Sequence, residues 1–149
     1  MADAIWNNRY ILADPGTNET VLWENNKAWI GSDVAPEVNS GTLSEALTNF
    51  KSIKVYFARV TGTNLHYSNV AEFDTGDIVS QGGIFISTPI LQTSSSNLFL
   101  ACTFMSVTGT TFTETLGCQW SQAGGTSDKT KIFLHPYKIV GINRISGGN

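Results

Sequence analysis

SIKVYFARV, residues 52–60, is the densest run of β-branched and aromatic side chains in the chain. Ile53, Val55 and Phe57 alternate on one face, and Tyr56, Ala58 and Val60 fall on the other. A period of two with this composition is the pattern of a β-strand. Both faces are apolar towards the middle, which predicts a central strand covered on both sides. Each of Ile53, Val55 and Phe57 would contribute about 1.5–3 kcal/mol on full burial.

The surrounding chain fits that reading. Its 149 residues suit one domain with a core of its own. Nine Lys and Arg stand against twelve Asp and Glu, a net charge of −3. With no basic excess, a general nucleic-acid binder is disfavoured, because phosphate binding needs a basic face. Gly, Ser, Thr and Asn are abundant and Pro is scarce at 4. Together with the short β-rich runs this predicts an all-β fold, a single antiparallel β-sandwich of jelly-roll type. The sandwich would span 20–149, preceded by an extended N-terminal arm over 1–19. Asp3, Asn7, Asn8 and Arg9 break any early apolar stretch, and no run approaches the roughly 18 apolar residues of a membrane span. The expectation is a soluble protein made in a cytoplasm, with no membrane insertion.

In the arm, Ile5, Trp6, Tyr10, Ile11 and Leu12 are apolar, and Asn7, Asn8 and Arg9 interrupt any period. Two readings stand side by side: an anchor on another subunit, or a first strand folded onto its own sandwich. Residues 20–23 and 28–30 suggest a hairpin around Asn25 and Asn26. In GTLSEALTNF, 41–50, Leu43, Ala46, Leu47 and Phe50 have helical spacing, with Ser44 as a candidate cap. This predicts a strand at 42–43 and then a bend or short helix. Residues 65–70 would pair back on the central strand. Glu72, Asp74 and Asp77 lack the dense ligand spacing of a calcium loop and read as a solvated acidic loop. Residues 82–90 read as a strand entered through a flexible glycine turn. The clearest hairpin joins 98–107 to 111–120. Leu98, Leu100, Cys102 and Phe104 share one face, and Phe112, Leu116, Cys118 and Trp120 share one face of the partner, interrupted by Glu114. Pairing centred near Thr110 sets Cys102 opposite Cys118. In a reducing cytoplasm both are expected as buried free thiols. Residues 131–145 read as a last strand pair or a bent strand, with Pro136 as a break or an edge.

Nothing assembles a catalytic motif. There is no G-x-S-x-G and no H-E-x-x-H, and His66 and His135 are the only histidines. The sequence is therefore read as a non-enzyme, with no catalytic residue, metal or cofactor.

Three pieces fall in a familiar order: Leu22-Trp23, then TLSEALTNFKSIKVYF at 42–57, then HPYKIVGI at 135–142. Over residues 21–145 the chain resembles the small β-sandwich module of tailed-bacteriophage structural proteins, found at tail-fibre tips and similar to capsid-decoration proteins. The resemblance implies a non-enzymatic virion protein assembled in the host cytoplasm, with other capsid or tail proteins as partners and a homotrimeric state. It carries over no catalytic residues. Unlike a fibre tip, the chain reads as a short protein with its own Met1. The expected function is a small capsid-decoration or fibre subunit attached through its arm, with Ile5, Trp6, Tyr10, Ile11 and Leu12 as the assembly interface. The alternative is a host-receptor or glycan-binding module of a tail fibre. Sugar recognition sets C–H groups on an aromatic face beside polar partners, for which Trp29, Tyr67, Trp120 and Tyr137 are the candidates.

Overall fold

A computed structural model describes residues 5–6, 9–10, 18–25, 40–61, 64–92, 97–123, 127–128 and 134–145. The strands are β1 (Ile5–Trp6), β2 (Arg9–Tyr10), β3 (Glu19–Glu24), β4 (Ser40–Thr42), β5 (Phe50–Thr61), β6 (Asn64–Asp74), β7 (Gly83–Gln92), β8 (Asn97–Thr108), β9 (Thr111–Ser121), β10 (Ser127–Asp128) and β11 (Leu134–Arg144). A 3-10 turn at Leu47–Asn49 and a helix, α1 (Thr75–Gln81), complete the described elements. The fold is an all-β sandwich of two antiparallel sheets. The first has the order β3-β11-β5-β6. The second runs β9-β8-β7, with β10 and β4 both adding to β9.

The SIKVYFARV run lies inside β5, hydrogen-bonded to β11 on one side and β6 on the other. Ile53, Val55 and Phe57 are buried against the second sheet, together with Leu22, Ile84, Ile86, Phe99, Met105 and Phe112. The expectation of cover on both faces is corrected. Ser52, Lys54 and Tyr56 remain half-exposed on the other face. There Lys54 Nζ meets Glu19 Oε1 at 2.7 Å, and Tyr56 packs on Tyr137 with ring centres 6.0 Å apart. Ala58 is buried as well, paired with the buried His135 of β11.

β11 is one continuous strand, not a pair, and lies between β3 and β5. Pro136 is tolerated in it because the described pairing with β3 begins only at Lys138, and a register shift towards β5 falls between Pro136 and Lys138. Gly141 lies over the buried Phe50 ring, where a Cβ would come within 2.6 Å of ring carbons.

The acidic loop of the sequence reading is also corrected. Asp74 ends β6 and caps α1, accepting from the Gly76 and Asp77 amides at 2.7 and 3.3 Å. Gly82 ends the helix at φ 72°, a left-handed conformation that glycine adopts without steric cost. The buried Thr75 hydroxyl lies 2.6 Å from the Phe50 carbonyl and ties the helix start to β5. At 41–50 the expected strand and short helix form as β4 and the 3-10 turn. Ala46, not Ser44, takes the cap position, and no side chain caps it.

β1 and β2 pair with each other, Ile5 with Tyr10 and Trp6 with Arg9. Among the described residues neither joins the larger sheets. Ile11 and Leu12 lie outside the described residues, as does the 28–30 half of the hairpin expected after Trp23. Trp23 lies in β3, which pairs with β11.

Candidate functional site on the outer face of the second sheet

The β8–β9 hairpin forms as expected, closed by Gly109 at φ 59° and Thr110, and sets Cys102 opposite Cys118. The expectation of buried free thiols is corrected. The two cysteines are joined by a disulfide with Cα atoms 5.3 Å apart, and both are half-exposed. They lie on the outer face because the core takes the other side of β8: Phe99, Ala101, Thr103 and Met105 point inward.

The expected common face for Phe112, Leu116, Cys118 and Trp120 is divided by a bulge. Phe104 pairs with Leu116 and Met105 with Glu114, which leaves Thr115 as an extra residue in β9. An extra residue inverts the in–out alternation beyond it. Phe112 and Glu114 therefore point inward, whereas Leu116, Cys118 and Trp120 point outward.

Three cross-strand rows follow from the register: Phe85–Phe104–Leu116, Ser87–Cys102–Cys118 and Pro89–Leu100–Trp120. Leu116 is 68% exposed, Phe85 60%, Leu100 47% and Trp120 41%. Leu98, also exposed, extends the patch along β8. A groove of about 400 Å³ lies between Phe85, Phe104, Leu116 and the disulfide. No Asp, Glu, Lys or Arg lies among the outward-facing described side chains of β7, β8 and β9. The first sheet is the opposite. Its outer face carries the Lys54–Glu19 pair, Glu72 hydrogen-bonded to Ser52, and Lys138 with Nζ 5.7 Å from the Tyr56 ring centre. The hydrogen bond from Lys54 to Glu19 holds the lysine above its ordinary pKa. One sheet is thus built to face water, and the other presents apolar surface.

Between the sheets lies one polar pair. His135 Nδ1 on β11 is 2.8 Å from Glu114 Oε2 on β9, with side chains 3% and 0% exposed. The pair ties the two sheets together across the core. Among the described residues no group of three His, Cys, Asp and Glu converges as a metal site.

Of the four candidate stacking aromatics, the two whose side chains are described lie on different sheets. Trp120 is exposed on the second sheet, and Tyr137 is half-buried against Tyr56 on the first. Trp29 and the Tyr67 side chain lie outside the described residues, as do the side chains of Ile5, Trp6 and Tyr10. The outer apolar face was legible in part, since the alternation of Leu98, Leu100, Cys102 and Phe104 marks it. Which side of the hairpin faced the core was not. No family model and no curated protein matches this chain.

Proposed function

We propose that the chain is a non-enzymatic structural subunit of a bacteriophage virion, a small capsid-decoration or fibre protein acting as a homotrimer. It attaches to the particle through the arm residues Ile5, Trp6, Tyr10, Ile11 and Leu12. The observation that carries the assembly role is the uncharged, apolar outer face of β7, β8 and β9. A contiguous apolar patch beyond a few hundred Å² is characteristic of surfaces that are covered in use. The virion setting rests on the resemblance of Leu22-Trp23, 42–57 and 135–142 to phage sandwich modules. The alternative, a host-receptor or glycan-binding module, would rely on Trp120 as its exposed ring.

The test uses particles from a phage whose gene for this chain is deleted. Purified protein, intact or lacking residues 1–14, is added and the particles are pelleted. The intact chain is expected in the pellet and the truncated one in the supernatant, with its sheet circular dichroism unchanged. An intact chain left in the supernatant refutes the virion role. A truncated chain in the pellet refutes attachment through the arm.

A further inference from the structure

We infer that the outer face of β7, β8 and β9 is the surface through which copies of this chain pack on one another, an inference that rests on reading the chain as an assembly subunit. Three observations select a second copy over an unrelated partner.

The first is area. Leu98, Leu100, Leu116, Phe85 and Trp120 together expose on the order of 550 Å². Phe104, Pro89 and the disulfide rim the same patch. That approaches the roughly 800 Å² per partner of a stable specific interface, so one such face covering another is enough.

The second is shape. A contact between identical molecules needs projection and recess on the same surface. Leu116 and Phe85 are the most exposed of the large apolar side chains on the face, and both border the groove beside the Cys102–Cys118 bond. A leucine or phenylalanine from a neighbouring copy has the size and polarity to enter it. The disulfide and the continuous β7–β8–β9 ladder fix this surface in advance, so little ordering opposes association.

The third is charge. The chain carries a net −3, so copies repel at long range. The outward side chains of β7, β8 and β9 carry no charge of their own and so offer none to attract an oppositely charged partner, while Glu72, Asp74 and Asp77 line a second pocket that Phe85 also borders and rim the face at that end. Sheet-on-sheet packing of two apolar faces is also how the core of each copy is built.

The experiment is sedimentation equilibrium of the full chain. The intact protein is compared with Leu116→Lys and Phe85→Lys. Val79→Lys, on α1 and away from the face, is the control, since Val79 is also exposed. The intact protein and the control are expected at two or three times the chain mass at ~10 µM, as for a micromolar dissociation constant. Each face variant is expected to associate at least tenfold more weakly with unchanged circular dichroism. Both replaced side chains are largely exposed, so folding does not depend on them. An intact protein that stays monomeric, face variants that associate as well as the intact chain, or a control that dissociates with them overturns the inference. A monomer that still pellets with particles sinks self-association and leaves the virion role standing. An oligomer that ignores particles supports self-association and sinks the virion role.

Discussion

Reducing the Cys102–Cys118 bond is expected to destabilise the protein by about 3 kcal/mol. The magnitude follows from chain entropy. The bond closes a loop between residues 16 apart in sequence, and tying such a loop in the unfolded chain removes about 3 kcal/mol of conformational freedom at 25 °C. In a domain of this size 1 kcal/mol moves the melting temperature by roughly 3 °C, so a shift of about 10 °C is expected. Both cysteines are half-exposed on the outer face, within reach of a soluble reductant. The assay is urea unfolding of the oxidised and reduced protein, beside Cys102→Ser combined with Cys118→Ser, each followed by circular dichroism. Reduced protein and double variant should lose the same stability, and the β8–β9 hairpin should still form, because its ladder does not depend on the bond. Oxidised and reduced midpoints that coincide at equal slope would refute the reasoning, since neither a cross-link nor its entropic effect would then be present.

Two further outcomes are expected. Glu114→Ala removes the carboxylate that the buried His135 ring meets and should cost about 1–3 kcal/mol in urea unfolding, with Glu114→Gln costing less; a loss below about 0.5 kcal/mol for alanine would show that the pair does not tie the sheets. Hydrogen bonds from Arg144, and secondarily from Asn49, hold the Glu45 carboxyl below its ordinary pKa of 4.5. A folded-state pKa below the unfolded one stabilises the native chain above pH 4.5, and that stability is lost as the pH falls below it. Arg144→Gln should flatten this part of a melting-temperature profile, and an unchanged profile would sink the assignment.

The parts of the fold legible in sequence are those set by local alternation. The 52–60 run reads as a central strand because β-branched and aromatic side chains recur with period two. The β8–β9 register could be read because the two strands meet at a short turn, and Gly109 closes it. Helix α1 was written in the sequence but masked by its short length. Asp74 before Thr75 and Gly82 after Gln81 are a cap and a stop, yet seven residues carry too little periodicity to stand out among acidic side chains. For the candidate surface, the shared face of Leu100, Cys102 and Phe104 is legible in the alternation, whereas Phe112, which the alternation puts on one face with Leu116, Cys118 and Trp120, is separated from them by the bulge at Thr115.

The sequence by itself determined the class of the fold, the central strand and the hairpin register that sets Cys102 opposite Cys118, because each depends on residues close together in the chain. Only the tertiary structure decided which face of each strand is core. Leu98, Leu100, Cys102 and Phe104 are at least as apolar as Phe99, Ala101, Thr103 and Met105, so hydrophobicity does not choose between the two sides of β8. The choice is made where Ile53, Val55, Phe57 and Ile139 of the first sheet fill one side of the second and leave the other bare. The exposed apolar surface, with its bond between half-exposed cysteines, follows from that packing.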